Sequence, residues 1–296
     1  MQWHPLPGDA LAMADPALAT TGFDALLPIE VARKAEDVGV TKAGLPAVTT
    51  FVLAVLAGAF IALGAIFSTT VAAGSSGLPF GVARLLAGLA FSLGLILVVV
   101  AGAELFTGNN LIVMAWASRR VSSVRLLRNW AIVYVGNFVG ALGTAGLMLA
   151  SRQYQFGKGE VGVAALTIGA AKTGYGFWQA MALGVLCNVL VCLAVWMAYS
   201  ARSTTDRIVA VVPPIAAFVA AGFEHSVANM YFIPYALLVK DHTSFVASAS
   251  GVPDLSHLTV GGFLLHNLLP VTVGNVIGGG ILVGAVYWFA YLRPRG

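Results

Sequence analysis

Long apolar runs separated by short polar loops dominate the chain from residue 49 onwards. Six of these runs approach or exceed the length of about 20 residues that a membrane-spanning helix needs. They lie at 49–70, 84–118, 129–150, 176–200, 207–239 and 258–292. The second and fifth runs are too long for one simple helix, so we expect each to be broken within the membrane. The pattern predicts an all-α integral membrane protein with six transmembrane helices.

The polar region before the first span is predicted to form two segments. Residues 1–25 lack the apolar core of a signal peptide, and we expect a mobile cytoplasmic tail without a cleaved leader. Residues 26–40 carry Pro28 near their start and Gly39 near their end, which predicts an amphipathic helix at the membrane surface. This helix could be a passive anchor, or a gate or plug. Residues 41–296 are predicted to form the six-span domain.

The composition and the distribution of charge support this topology. The chain is 59% apolar and only 9% charged, whereas a water-soluble domain carries about a quarter charged residues. The spans divide the Lys and Arg residues into a richer and a poorer set. The richer set holds eleven: Arg33, Lys34, Lys42, Arg119, Arg120, Arg125, Arg128, Arg202, Arg207, Arg293 and Arg295. The poorer set holds five: Arg84, Arg152, Lys158, Lys172 and Lys240.

The positive-inside rule places the richer set and both termini in the cytoplasm. The basic balance of the chain, with a pI near 9.2, therefore reflects membrane topology, and nucleic acid is not expected as a partner.

One short phrase occurs twice in the chain, once in each overlong span. Ala101-Gly102-Ala103-Glu104 is followed by Asn109, and Ala221-Gly222-Phe223-Glu224 is followed by Asn229. Carboxylates at membrane depth are costly and usually mark a functional pathway. Matching interruptions in two hydrophobic segments indicate a transport site built from an internal repeat.

Further matches extend this repeat to all six spans. In the first and fourth spans, Phe51, Ala54 and Gly58 are predicted to correspond to Phe177, Ala180 and Gly184. In the third and sixth spans, Asn129, Gly136, Asn137 and Gly140 are predicted to correspond to Asn267, Gly274, Asn275 and Gly278. Each half has an odd number of spans, so the second half enters the membrane from the opposite face. We therefore predict an inverted 3+3 repeat, with halves at about 48–151 and 174–292 and the two breaks facing a path.

Several side chains near the breaks could act on a small anion. His225 follows Glu224 directly and can donate a hydrogen bond when neutral or a proton when cationic. Thr107 follows Glu104 by three residues and could bind an anion or His225. Lys172, on the outer side by the charge rule, could concentrate anions in a vestibule or pair with Glu224.

The remaining polar and aromatic residues receive structural or gating interpretations. Asn109 and Asn229 are expected to hold the broken backbones together. Phe91 and Phe218 are expected on the cytoplasmic side of the breaks, where paired aromatics could form a hydrophobic constriction. The two cysteines, Cys187 and Cys192, are expected to be small core residues, and no spacing of ligand residues indicates a metal site or cofactor.

Five segments carry a resemblance to a known family. Ala103-Glu104-Leu105-Phe106-Thr107-Gly108-Asn109, the span-five phrase through Met230, and the glycine-rich run from Pro270 to Gly280 are similar to signatures of the formate/nitrite transporter family, especially its formate channels. Asn129-Trp130 and the run Leu193–Met197 match the same family, and the resemblance covers about residues 27–292.

The resemblance implies an aquaporin-like protomer within a homopentamer, each protomer with its own pore in a bacterial inner membrane. It implies His225 and Thr107 at the pore centre, with Lys172, Glu224 and Asn188 in the outer vestibule. It further implies an outer constriction of Leu105, Phe106 and Val191, a cytoplasmic constriction of Phe91, Leu95 and Phe218, and a structural role for Glu104, Asn109 and Asn229 in the breaks.

We therefore expect a pH-dependent channel for formate, in which Lys172 attracts the anion and His225 shares or donates a proton. Nitrite, hydrosulfide, acetate and lactate are alternative small monovalent substrates. A neutral-solute channel is disfavoured because the Asn-Pro-Ala loops of that class are absent from the sequence. A membrane-embedded hydrolase at His225-Ser226 is disfavoured because no Gly-x-Ser-x-Gly surrounds the serine.

Overall fold

The computed structural model of the protein describes residues 25–242 and 251–294, and the regular elements within them are helical. Six helices are long and apolar enough to cross a membrane: α2 (Ala47–Ala72), α3 (Phe80–Ala101), α5 (Ser123–Ala150), α7 (Phe177–Ser200), α8 (Thr204–Ala221) and α10 (Gly262–Tyr291). The shorter helices are α1 (Pro28–Gly44), α4 (Val113–Ala117), α6 (Glu160–Thr173) and α9 (Ser226–Lys240). The predicted all-α fold with six spans is confirmed. Apart from Ala25, the predicted tail lies outside the described residues.

Two glycines in the left-handed conformation end the helices that carry the repeated phrase. Gly102, with φ of 80°, ends α3, and Gly222, with φ of 78°, ends α8. Glycine suits this conformation because it has no Cβ. After each glycine the chain runs without helical structure past a glutamate, and the backbone N–H of that glutamate donates to a carbonyl of another span. Glu104 N lies 3.2 Å from the Leu53 oxygen, and Glu224 N lies 3.2 Å from the Leu183 oxygen.

The two halves of the chain pack in equivalent ways and then exchange their broken segments. In the first half α2 packs against α3 and α5, and in the second half α7 packs against α8 and α10. Beyond the breaks, α9 packs against α5 of the first half, while the segment 108–117 packs against α10 of the second. Each half therefore supplies the element that covers the third span of the other.

The hydrogen bonds also correct the predicted register between the first and fourth spans. Because Leu53 and Leu183 make the same contact, residues of α2 correspond to residues of α7 that are 130 positions later, since 183 − 53 = 130. Phe51 thus corresponds to Met181, and the predicted match with Phe177 is wrong by four residues. A shift of four keeps the same helix face, so small and apolar residues alone could not distinguish the two registers.

Glycines in the third and sixth spans allow close contact between helices. A Cβ atom on Gly140 would overlap the carbonyl of Val55 in α2, and a Cβ atom on Gly278 would overlap the carbonyl of Val185 in α7. Small residues at such contacts let transmembrane backbones approach closely. These glycines therefore serve close packing between the spans of each half.

Helix α1 packs on the channel body. Its buried Val31, Ala32 and Ala35 contact Met114 and Trp196. Its acidic residues also bind the loop after α4: Arg120 lies 2.9 Å from Glu36 and 2.6 Å from Asp37. The apolar face of this helix, which was predicted to rest on the membrane surface, is thus covered in part by protein.

Candidate functional site

Two cavities approach the centre of the molecule from opposite ends. The first, here called the Lys172 chamber, has a volume of about 180 Å³. Its lining includes Arg84, Phe91, Lys172, Tyr175, Phe218, Glu224 and His225. The second, here called the Lys42 chamber, has a volume of about 420 Å³. Its lining includes Lys34, Lys42, Leu95, Glu104, Leu105, Tyr199 and Arg207.

A buried ion pair closes one side of the Lys172 chamber. The Lys172 ammonium donates to Glu224 Oε1 at 2.8 Å, and Glu224 is 2% exposed. The other carboxylate oxygen accepts from Asn229 at 2.7 Å and from Asn267 at 3.0 Å. Buried charges are tolerated when they are paired and hydrogen-bonded. The predicted pairing of Lys172 with Glu224 is thus present in the structure.

The Lys42 chamber contains a matching set of contacts that the sequence analysis missed. The Lys42 ammonium donates to Glu104 Oε1 at 2.7 Å, and Asn109 donates to Glu104 Oε2 at 2.7 Å. Asn109 also donates to the side-chain oxygen of Asn129 at 3.0 Å. The sequence signal was the Lys-x-Gly pattern before the first and fourth spans, at Lys42 and Lys172. The repeat therefore begins earlier than residue 48, its predicted first residue.

His225 and Thr107 meet between the two breaks. The Nε2 atom of His225 lies 3.0 Å from Thr107 Oγ1, and both residues are buried. The Nδ1 atom accepts a hydrogen bond from the backbone N–H of Ala228 at 3.0 Å and so caps α9. Since Nδ1 is an acceptor here, the ring proton of the neutral imidazole is on Nε2. The Nε2–H group consequently donates to the Thr107 hydroxyl.

Asparagine and cysteine side chains fix the backbone of Thr107. Asn188 donates to the Thr107 carbonyl at 3.3 Å, and the Cys192 thiol lies 3.4 Å from the same oxygen. Asn188 also donates to Asn110 Oδ1 at 2.8 Å and to the Asn275 carbonyl at 2.7 Å. Asn188 is fully buried and is not part of the lining of the Lys172 chamber. Its predicted place in the outer vestibule is wrong, because its amide is directed to the loop that carries Thr107.

The aromatic pair lies at the opposite end from the one predicted. Phe91 and Phe218 form an edge-to-face contact with ring centroids 5.6 Å apart, and both line the Lys172 chamber. Leu105 lines the Lys42 chamber together with Leu95. Helix α3 runs from the Lys172 chamber toward the Lys42 chamber, so Phe91 approaches the centre from the Lys172 side. Of the predicted cytoplasmic constriction, only Leu95 is on the Lys42 side.

Two other predicted constriction residues do not line either chamber. Phe106 packs edge-to-face on Tyr134 and Trp130, at centroid distances of 4.9 and 6.1 Å, and faces a lateral apolar groove. Its backbone N–H donates to Asn137 Oδ1 at 2.9 Å, which turns the side chain toward α5. Val191 is buried in the same core cluster as Leu105 and Leu95, and its part in a constriction stays a prediction. The predicted outer constriction is therefore wrong in its side and in Phe106.

Tyr175, which lines the Lys172 chamber, lies outside the spans. Tyr175 connects α6 to α7, and burial together with the nearby Glu224 carboxylate raises the pKa of its hydroxyl. The hydroxyl accordingly remains protonated in the physiological range and can act as a hydrogen-bond donor.

Comparison with known proteins gives consistent matches over almost the whole chain. The family model described as formate/nitrite transporter matches residues 29–289. The formate channel FocA of Escherichia coli strain K12 is 48% identical over 280 residues, which are 94% of this chain and 98% of that protein. The formate channel FocA of Haemophilus influenzae is 40% identical, over 88% of this chain and 93% of the relative.

Solved structures agree with these sequence relatives. A pentameric formate channel with formate bound superimposes with a TM-score of 0.78 at 46% identity, covering 83% of this chain and 98% of that chain. An ion channel of the FNT family gives a TM-score of 0.77 at 28% identity, covering 90% of this chain and 99% of that one. The inverted halves, the paired lysine and glutamate sites and these matches together assign the chain to the formate/nitrite transporter family of integral membrane proteins.

Proposed function

We propose that this protein is a channel for formate, and that the substrate enters a chamber as the anion and passes between the two chambers as the neutral acid, beside His225 and Thr107. The observation that carries the proposal is the contact of 3.0 Å between His225 Nε2 and Thr107 Oγ1, at the junction of the two broken spans. The formate channels among its relatives support the choice of substrate.

The lysines at both ends favour entry of an anion. Lys172 retains two ammonium protons beyond the one donated to Glu224. Lys42 donates to Glu104 and, at 3.0 Å, to Asn109 Oδ1, and so retains one. An incoming carboxylate can accept these hydrogen bonds before it loses its hydration. The apolar residues that follow, Phe91 and Phe218 on one side and Leu95 and Leu105 on the other, exclude water and larger solutes.

His225 serves as a neutral hydrogen-bond donor in this proposal. Protonation at Nδ1 would place a proton against the Ala228 N–H group, which that nitrogen now accepts. Full proton transfer from His225 would therefore require the release of this helix cap. The Nε2–H and the Thr107 hydroxyl can instead donate to the carboxyl oxygens of the substrate as it passes.

Passage as the neutral acid removes the main energetic barrier. Desolvation favours the protonated form of a carboxyl group, and an isolated charge in hydrocarbon costs several kcal/mol or more. The proton can be taken up from water in either chamber. Flux then follows the gradients of formate and of protons and falls as the pH rises.

We also propose a membrane, an assembly and an orientation for the channel. We place the protein in the bacterial inner membrane as a homopentamer, with both termini and the Lys42 chamber facing the cytoplasm. The excess of Lys and Arg at that end supports the orientation, and the pentameric relative supports the assembly.

Flux measurements in proteoliposomes test the function. Purified protein should conduct formate, with nitrite, hydrosulfide, acetate and lactate compared in the same vesicles and glycerol as a neutral solute. His225→Phe, which removes both the cap of α9 and the donor to Thr107, should reduce formate flux to that of protein-free vesicles. His266→Phe is the matched control, because His266 is exposed on α10, and it should conduct like the wild type.

Glycerol flux above formate flux would contradict the proposal. So would formate flux in His225→Phe equal to that of the wild type, or flux that does not change with pH.

A further inference from the structure

The Lys42 chamber contains two cations that the internal repeat does not require. The lysine and glutamate of each chamber correspond through the repeat, with offsets of 172 − 42 = 130 and 224 − 104 = 120. Applied to the other lining cations, these offsets relate Lys34 to Ala164 and Arg207 to Ala87. The Lys172 chamber has one unmatched cation, Arg84, whose guanidinium donates to the backbone carbonyls of Val219 and Ala220. Only the Lys42 chamber has a second pair of positive charges.

These two cations are left without carboxylate partners among the described residues. Glu104 pairs with Lys42, and Glu36 and Asp37 pair with Arg120. No salt bridge within 25–242 and 251–294 joins Lys34 or Arg207 to an acid. The Lys34 ammonium donates to the Tyr199 carbonyl at 2.7 Å, which leaves two of its protons for a ligand.

The environment of Lys34 indicates an uncompensated positive potential. Burial of the ammonium, together with the positive charges of Arg207 and Arg202, lowers the pKa of Lys34. Like charges held together in a partly buried site destabilise one another, and a bound anion would relieve this repulsion.

The shape of the chamber favours a ligand larger than formate. The cavity of about 420 Å³ is more than twice the volume of the Lys172 chamber. An arginine guanidinium matches the geometry of phosphate-type oxygens with two parallel hydrogen bonds, and a lysine adds a compact charge. A divalent oxyanion can meet both groups at once, whereas a monovalent carboxylate would leave part of the positive charge unbalanced.

We propose that Lys34 and Arg207 form a binding site for a divalent phosphate-type oxyanion in the Lys42 chamber. The bound anion joins α1 to the start of α8 and stands in front of Leu95 and Leu105. It thereby obstructs formate entering from that chamber, while entry of anions into the Lys172 chamber is unaffected. The site lies among pore-lining residues, which favours a free anion over a lipid headgroup.

Binding can be measured on the full-length protein without reference to transport. Thermal unfolding in detergent is followed with sodium phosphate against sodium chloride at equal ionic strength, so that general screening is matched. Phosphate should raise the midpoint of the wild type in a saturable way. The variant Lys34→Ala/Arg207→Ala, which installs the residues of the other half, should bind phosphate at least about tenfold more weakly.

Arg33→Ala is the matched control, because Arg33 is the exposed neighbour of Lys34 and does not line the chamber. It should retain the full phosphate shift. If the double variant does not fold, Lys34→Ala and Arg207→Ala are measured singly, and each should weaken binding. In proteoliposomes, phosphate on the Lys42 side should slow formate flux in the wild type and not in the double variant.

An equal phosphate shift in wild type and double variant would overturn the proposal. A shift that chloride reproduces, or one produced only by phosphatidylglycerol micelles, would also overturn it. The thermal measurement needs no formate. It therefore tests phosphate binding even if the protein fails to conduct formate.

Discussion

Gly88 lies where the two broken spans, α3 and α8, pack closely, so a substitution at this residue tests the shape of the pore. A Cβ atom at Gly88 of α3 would lie 2.6 Å from the Ala216 carbonyl oxygen of α8 and 3.0 Å from its Cα. An ordinary contact begins at 3.4 Å, so Gly88→Ala must separate the helices by about 0.8 Å, or 3.4 − 2.6. The obstructing atoms belong to backbone and cannot rotate away.

The magnitude follows from a comparison with a second glycine of the same helix. Overpacking of this kind costs about 1–3 kcal/mol, and alanine gains up to about 1 kcal/mol over glycine in a helix. Gly81→Ala provides the control, because a Cβ at Gly81 meets no atom within 4 Å. Gly81 lies in the first turn of α3, where alanine gains less over glycine than at the interior Gly88, so the helix gain offsets part of the overpacking. Gly88→Ala should therefore be less stable than Gly81→Ala by about 1–2 kcal/mol.

The same displacement should change selectivity. Phe91 follows Gly88 by less than one turn, and its edge-to-face contact with Phe218 forms the apolar floor of the Lys172 chamber. Separation of α3 from α8 loosens this contact, so the ratio of acetate to formate flux should rise in Gly88→Ala.

Thermal unfolding in detergent and the two fluxes in proteoliposomes measure these effects. If Gly88→Ala matched Gly81→Ala in both stability and flux ratio, the assignment of this contact as a pore-shaping one would be refuted.

Three further expectations concern the polar groups. Thr107→Val leaves the buried Nε2–H of His225 without its acceptor, which costs about 1–3 kcal/mol of stability. Formate flux should fall in this variant and recover in Thr107→Ser. Wild-type flux in Thr107→Val would contradict the geometry. Glu224→Gln leaves the Lys172 ammonium unpaired, at a cost of about 3–5 kcal/mol, so the unfolding midpoint should drop. The double variant Lys172→Met/Glu224→Gln should regain part of the lost midpoint. A midpoint that stays low would argue against direct coupling between Lys172 and Glu224. In the folded protein the pKa of Lys34 lies below its ordinary value of 10.5. At a pH between the folded and the unfolded pKa the unfolded chain binds more protons, so the stability of the wild type rises with pH. The stability advantage of Lys34→Met at neutral pH should therefore shrink as the pH approaches about 10, and a constant difference would contradict this sign.

The sequence was sufficient for the fold and for the contact between His225 and Thr107. Apolar run lengths predicted six spans, and the repeated phrase around Glu104 and Glu224 located both interruptions. These features were readable because a carboxylate in a long apolar run is rare and because its second copy stands at the matching place.

The sequence was insufficient for the direction of α3 along the pore and for the register between the first and fourth spans. The distance of Phe91 from its break along the sequence does not show in which direction α3 crosses the membrane. The predicted end of the pore for Phe91 is therefore the opposite of the observed one. The side chain of Phe106 turns toward α5 because its backbone N–H is held by Asn137, and no pattern of residues reveals that bond. Lys42 was overlooked because one lysine before a span resembles any interfacial lysine until Lys172 is seen to make the same contact.

The exchange of α9 and the segment 108–117 between the halves has an evolutionary consequence. The broken segment of each half packs more on the third span of the other half than on its own, so a chain of only one half would leave that surface of its third span uncovered. A single-copy ancestor would have needed to insert into the membrane in both orientations and close as an antiparallel dimer. Duplication and fusion of such a gene would free the two copies to diverge, so that His225 stands in one and Leu105 at the corresponding place in the other.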